Sequence, residues 1–180
     1  MKIFNRKLAD TKEIIPLIHK DDRGIFFETF HKQKYKKNIS IEDEFVQENY
    51  SISSYGVLRG LHFQKKFPQG KLIKVTKGKI FDVAVDLRPN SKTFCQWDGI
   101  YLDDICHNQF WIPKGFAHGF ISLSDVVEVE YKCTDIYHPE DEECLIWSDK
   151  KLDIKWPIQN PILSKKDLLG KSLDMITNNL

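Results

Sequence analysis

Between Lys79 and Arg88 the chain alternates with a period of two: Phe81, Val83, Val85 and Leu87 take one parity, and Ile80, Asp82, Ala84 and Asp86 the other. Successive side chains of a strand point to opposite faces, so this period predicts a strand with an apolar inner face and a mixed outer one. Gly78 before it and Arg88-Pro89-Asn90-Ser91 after it carry turn chemistry. Leu72–Thr76 reads as a second strand ending at Lys77-Gly78, so residues 71–87 are expected to form a hairpin. Val126 to Tyr137 reads as a long strand, with Val127, Val129, Tyr131 and Cys133 opposite Glu128, Glu130 and Lys132. Residues 46–53, 57–64, 94–102 and 108–123 supply further short strands. Helical signal is confined to the margins: residues 29–37, and Ser164-Lys-Lys-Asp167, which resembles a capping box. Many short strands separated by turns predict an all-β sandwich or barrel.

Composition narrows the function classes. The 180 residues carry 27 Lys+Arg against 26 Asp+Glu, and this balance excludes the broad electropositive surface of a nucleic-acid binder. No apolar run approaches the roughly 18 residues of a membrane span. The opening MKIFNRKLADTKEIIP has no unbroken apolar stretch, so a cytoplasmic chain without a leader is expected. The cysteines, Cys95, Cys106, Cys133 and Cys144, form no C-x-x-C pair and are expected to be reduced. Neither G-x-G-x-x-G nor G-x-x-x-x-G-K-[ST] occurs, and G-x-S-x-G and H-E-x-x-H are missing as well.

Pro113-Lys-Gly-Phe-Ala-His118 resembles the second motif of the cupin superfamily. That resemblance implies an all-β, cupin-type double-stranded β-helix or jelly-roll barrel with short peripheral helices. Residues 1–180 then form a single cupin-like domain, with a core over about 45–150. The N-terminal strands over about 1–50 are open to exchange in a dimer, and short helices occupy about 151–180. In metal-binding cupins the first motif supplies H-x-H and a glutamate. Here Gln64 stands for the second histidine and Lys71 for the glutamate, beside His62. An ammonium repels a divalent cation, so no metal is expected.

A longer series of motifs runs in order through residues 13 to 170. It comprises Asp21-Asp-Arg-Gly-Ile-Phe-Phe-Glu28, Phe45-Val-Gln-Glu-Asn49, Val57-Leu-Arg-Gly-Leu-His-Phe-Gln64, Gln69-Gly-Lys-Leu72 and Phe81-Asp-Val-Ala-Val-Asp86. It continues with Trp111-Ile-Pro-Lys-Gly-Phe-Ala-His-Gly119, Tyr131-Lys-Cys-Thr134, Tyr137-His-Pro-Glu140 and Pro161-Ile-Leu-Ser-Lys-Lys-Asp167. Together these resemble the dTDP-4-dehydrorhamnose 3,5-epimerase family. The resemblance implies epimerisation of a nucleotide-linked 4-keto sugar at C3, C5 or both, without metal or any other cofactor. In that chemistry a base removes a proton α to the ketone, a cation steadies the C4 oxyanion, and an acid returns a proton from the other face.

By the same resemblance His62 is the base, Asp167 its orienting carboxylate, Lys71 the enolate stabiliser and Tyr131 the acid. Arg23, Arg59, His118 and Lys166 match contacts to the diphosphate or nucleotide. Glu28, Gln47, Asn49 and Glu142 match lesser contacts to nucleotide or sugar. The family's homodimer implies that Arg23 and Glu28 serve the neighbouring subunit's site.

Read on their own, several of these residues keep a structural alternative. His62 reads equally as a core histidine beside Leu58 and Gly60, and Tyr131 as core beside Val127 and Val129. Asp167 reads as a helix cap, and His118 as a brace on a backbone group. His19, His31, His107 and His138 read as surface or structural. Lys71 heads a row with Ile73 and Val75, where a buried ammonium is costly, and that makes it the most suggestive of function. Arg59 and His62 have opposite parity, so joint contact with a ligand requires either a bulge near Gly60 or different portions of one large ligand. The chain departs from the family at Glu48, Tyr50 and Ile52 and at Lys65-Lys-Phe-Pro68, which leaves dTDP- and GDP-linked sugars both open. A 3,4-ketoisomerase, a metal-dependent cupin enzyme and a non-catalytic sugar-nucleotide module are the rival readings.

Overall fold

The computed structural model describes residues 1–39, 41 and 43–180. Its elements are β1 (Lys2–Asn5), β2 (Lys12–Ile15), β3 (Ile18–Asp21), β4 (Gly24–Phe27), α1 (Lys32–Ile39), β5 (Gln47–Ser54), β6 (Leu58–Gln64) and β7 (Lys71–Lys77). There follow β8 (Lys79–Asp86), β9 (Trp97–Asp103), β10 (Gln109–Ile112), β11 (Phe116–Ser122), β12 (Val126–Cys133), β13 (Glu142–Cys144), α2 (Lys165–Leu168) and α3 (Leu173–Thr177). One sheet runs β1-β2-β10-β7-β12-β5 and a second runs β13-β6-β11-β8-β9, while β3 and β4 form a separate hairpin. Neighbouring strands pair antiparallel, as in β12 with β7 and β11 with β8. This is the expected jelly roll.

Three apolar clusters hold it together. Ile73, Val75, Val127 and Val129 of the six-stranded sheet meet Ile80, Ala84, Leu102 and Phe120 of the five-stranded one. The far face of the five-stranded sheet, with Phe81, Val83, Val85 and Leu87, is covered by Leu145, Leu152, Leu173 and Ile176 of the C-terminal segment. Tyr35 and Ile39 of α1 cover Ile14, Leu72 and Trp111 on the far face of the six-stranded sheet. Each cluster removes large side chains from water, at about 1.5–3 kcal/mol per fully buried residue.

Two expectations are corrected here. The Ile80/Asp82/Ala84/Asp86 face of β8 is the one turned between the sheets, and the all-apolar face lies under the C-terminal cover. Ile80 to Asp86 are all buried, so β8 has no solvent side. Residues 71–87 are not a hairpin either. β7 pairs with β10 and β12, whereas β8 pairs with β9 and β11. Lys77-Gly78 is therefore a corner that carries the chain from one sheet to the other. Gly78 has φ +80°, and a Cβ there would lie 2.6 Å from the Val126 carbonyl oxygen.

Smaller shifts follow similar causes. The run over 108–123 is broken at Pro113–Gly115, where Gly115 has φ +85°, into β10 and β11 of different sheets. β9 begins at Trp97 rather than 94, β12 ends at Cys133, and α1 begins at Lys32 rather than 29.

Candidate active site

The site begins with an irregularity in β6. Opposite β11, His62 pairs with His118 and Arg59 pairs with Phe120, so three steps along β6 match two along β11. The extra residue falls at Gly60-Leu61 and restores a common face to Arg59 and His62, the first of the two ways around their opposed parity. The backbones touch there. Gly60 has φ +123°, and a Cβ on it would lie 2.5 Å from Gly119 Cα; a Cβ on Gly119 would lie 2.6 Å from the Arg59 carbonyl oxygen. Because of the bulge, Arg59 and His62 line one cavity of about 220 Å³ with Lys71, His118, Tyr131, Lys166 and Asp167.

His62 Nε2 lies 2.6 Å from Asp167 Oδ1. Asp167 comes from α2, where Ser164 Oγ accepts from the Asp167 backbone N–H and donates to Asp167 Oδ2 at 2.8 Å. The cap residue is thus Ser164, and Asp167 is left to hold the imidazole. Burial pushes the Asp167 carboxyl up, but hydrogen bonds from His62 and Ser164 and the charges of His62 and Lys166 outweigh it and hold the group below its ordinary value. An ionised Asp167 fixes a proton on Nε2 and leaves Nδ1 with the free lone pair. Glu142 Oε1 is 3.8 Å from that nitrogen. Glu142 also accepts from the Tyr137 hydroxyl at 2.6 Å and pairs with Lys166.

Lys71, on β7, is buried at the cavity floor in the row of Ile73 and Val75. Burial lowers its ammonium below the ordinary lysine range, with Cys133, Glu142 and Asp82 pulling the other way. His118 Nε2 lies 2.9 Å from Asp82 Oδ2. Its brace is therefore a carboxylate, not a backbone group. Asp82 is fully buried, and burial raises its carboxyl. Tyr131 on β12 is pushed up chiefly by burial, so its phenol holds its proton; Arg59, Cys133, Glu142 and Asn49 are the polar groups around it.

The remaining expected residues sit at the rim or elsewhere. On β5, the Gln47 side chain binds Asn49 Oδ1 at 3.0 Å and accepts from the Tyr137 backbone N–H. Arg23, at the tip of the β3–β4 hairpin, pairs with Asp21 and leaves its side chain 90% exposed. Glu28 pairs with Lys34 and lines a separate cleft of about 760 Å³ with Phe26 and His31. Neither Arg23 nor Glu28 reaches the His62 cavity of its own chain. Tyr50 and Ile52 project outward from β5, and Glu48 pairs with Lys132. His107 packs at a tilt against Phe27, and His138 stacks on Phe67. Gln64 is spent on a loop, donating to the Phe67 and Ile136 carbonyls and accepting from the His138 N–H. The four cysteines are free thiols.

Sequence reasoning did not single out Asp82, Ser164 or Cys144 as site residues. Asp82 had a visible signal, a carboxylate inside an apolar strand. Ser164 was visible only as the start of a capping box, three residues from the Asp167 it supports, and Cys144 owes its place to a partner across the ladder.

Comparison with known proteins shows the family. A family model described as dTDP-4-dehydrorhamnose 3,5-epimerase matches residues 5–174. A dTDP-4-dehydrorhamnose 3,5-epimerase of Neisseria gonorrhoeae is 52% identical over 173 residues, which are 96% of this chain and 52% of that longer relative. This chain thus spans about half the length of that protein. The enzyme of the same name from Methanothermobacter thermautotrophicus is 50% identical over 163 residues, 89% of this chain and 88% of the relative. Among solved structures, a dTDP-6-deoxy-D-glucose-3,5-epimerase from Legionella pneumophila in complex with dTDP-4-keto-L-rhamnose superposes with a TM-score of 0.96 at 47% identity. It covers 99% of this chain and 95% of its own.

Proposed function

The chain belongs to the dTDP-4-dehydrorhamnose 3,5-epimerase family, and on that footing we propose that it epimerises a dTDP-linked 4-keto-6-deoxyhexose at C3 and C5. The observation that carries the reading is the convergence of His62 with its Asp167 partner, Tyr131 and Lys71 on one cavity. That cavity, about 220 Å³, is smaller than the roughly 300–1,000 Å³ of sites that enclose drug-sized ligands. It suits the hexose, with the diphosphate and nucleoside lying outward along Arg59, Lys166, Gln47 and Asn49. The dTDP form is favoured over the GDP form by the names of the relatives and by the ligand in the Legionella structure.

The reaction follows from the groups present. His62 Nδ1 takes the proton from the carbon next to the ketone, while Asp167 stabilises the imidazolium. Electron density moves to the C4 oxygen, which faces the Lys71 ammonium. A buried cation is complementary to an oxyanion that exists only along the reaction path, so the interaction lowers the barrier more than it tightens ground-state binding. Tyr131 then delivers its phenolic proton to the opposite face, and exchange with solvent resets both residues. His118, braced by Asp82, completes the polar wall.

We further propose a cytoplasmic homodimer, in which Arg23 and Glu28 of the β3–β4 hairpin region complete the neighbouring cavity. No helix among the described residues is long and apolar enough to cross a membrane.

Incubation of the full chain with dTDP-4-keto-6-deoxy-D-glucose in D₂O, read by NMR, tests the proposal. Deuterium is expected at the inverted carbons, with losses of about 10²–10⁴-fold in rate for His62→Ala and Tyr131→Phe. Tyr131→Phe is also expected to keep some exchange on the His62 face without inversion. Unchanged rates in both variants would reject the assigned roles.

A further inference from the structure

We propose that His62, Cys144 and Asp167 form a binding site for a thiophilic divalent cation such as Zn²⁺, and that filling it switches off the base. Cys144 on β13 stands directly across the ladder from His62 on β6. Its Sγ lies 3.9 Å from Asp167 Oδ1, the same oxygen that lies 2.6 Å from His62 Nε2. One donor atom from each of the three residues falls within 4.8 Å of the others. Of the three, only His62 belongs to the cupin ligand motif, so this is a different donor set on three different elements.

The distances suit a tetrahedral ion. With Zn–N and Zn–O near 2.05 Å and Zn–S near 2.3 Å, donors around one zinc sit about 3.3 Å (N to O) and about 3.5 Å (S to O) apart. The nitrogen and oxygen must separate by about 0.7 Å, the sulfur and oxygen close by about 0.4 Å, and the sulfur and nitrogen, within 4.8 Å of one another, draw in to about 3.5 Å, displacements that side-chain rotation supplies. A thiolate, an imidazole and a carboxylate favour zinc over the hard cations magnesium and calcium. The remaining position opens to the cavity and its water.

Glu142 supplies the outer support. Its carboxylate lies on the Nδ1 side of His62, which is the carboxylate–histidine–metal arrangement that orients a ligating ring. Lys166, whose charge acts on both Cys144 and Asp167, is already paired with Glu142.

The proton balance explains the inhibition, which rests on the epimerase reading above. The cation displaces the proton from Nε2, and that proton moves to Nδ1, where Glu142 Oε1, 3.8 Å away, closes in to accept it. Asp167 is already ionised, and the Cys144 thiol gives its proton to solvent, so one proton is released per ion bound. With Nδ1 protonated and Nε2 ligated, the imidazole has no lone pair left to take a proton from the sugar.

The test separates binding from activity. The full chain is titrated with Co²⁺ in the absence of substrate, then with Zn²⁺ in competition. A thiolate-to-cobalt charge-transfer band in the near ultraviolet is expected, saturating at one ion per chain and bleached by Zn²⁺, and absent from Cys144→Ala and Cys144→Ser. In turnover assays Zn²⁺ is expected to inhibit the parent at least about tenfold more potently than either variant, and both variants keep their basal rate. A missing band, or an equal one in the variants, overturns the site. Equal Zn²⁺ sensitivity of parent and variants overturns its regulatory role. A chain that shows the band but no epimerisation keeps the metal site and refutes the catalytic reading instead.

Discussion

Lys71 enters the barrel among Ile73, Val75 and Phe120, and the groups that favour its cation are Cys133, Glu142 and Asp82. Burial lowers its ammonium, so holding the charge there costs folding free energy below the ordinary lysine pKa, and this cost shrinks as pH rises toward it. Lys71→Met is expected to reduce turnover by about 10²–10³-fold and to raise unfolding stability by about 1–4 kcal/mol, measured by urea unfolding at neutral pH. A variant that loses both activity and stability would contradict this assignment.

Asp167 has the opposite sign. Its folded-state carboxyl lies below the ordinary value despite burial, because His62 and Ser164 donate to it. Its contribution to stability is complete above the unfolded pKa of about 3.9 and is lost as pH falls through the lower folded value. The stability gap between parent and Asp167→Asn is expected to narrow from about pH 5 downward, as followed by unfolding midpoints in buffered series. A gap that stays constant across that window would show that the carboxyl is not proton-linked to folding.

At the scale of elements, the bulge in β6 decides whether the site exists. Gly60→Ala forces a Cβ to within 2.5 Å of Gly119 Cα at a φ of +123°. It is expected to cost about 3 kcal/mol or more and to separate Arg59 from His62, with thermal unfolding and turnover as the readouts. Wild-type values for both would refute the account of the bulge.

The sequence made this irregularity legible, because Arg59 and His62 have opposed parity and a glycine stands between them. The sidedness of β8 was less legible. Alternation shows that two faces differ, but which one turns inward depends on residues 145–176, more than fifty positions away. Lys77-Gly78 fits a hairpin and a corner equally well, since a positive φ serves both; the choice is made by β10 and β11 as competing partners. The dyad itself spans 105 residues. No local pattern joins His62 to Asp167, and resemblance to a family was the only signal that did. Cys144 gave no signal at all, because its meaning lies in its partner across the ladder.

Over the whole molecule, the β3–β4 hairpin pairs with no other strand among the described residues and holds Phe26 at 74% exposure. Such an arm buries Ile25 and Phe26 only against another surface, and a second copy is the partner that would bring Arg23 to a cavity. Mixing and reassociating the inactive variants His62→Ala and Arg23→Ala tests this. In a mixed dimer one cavity regains both side chains, so about a quarter of parental activity is expected at equal proportions. Additive, unrescued activity would place Arg23 in its own chain's chemistry or in none.

The base sits on a barrel strand while its carboxylate arrives on α2, beyond the last strand in chain order. The imidazole's orientation therefore hangs on a single turn of four residues, held by the Ser164 cap and by its docking against β6. Loosening that turn would free the ring without parting any strand from its neighbour, so turnover would fade before the barrel does.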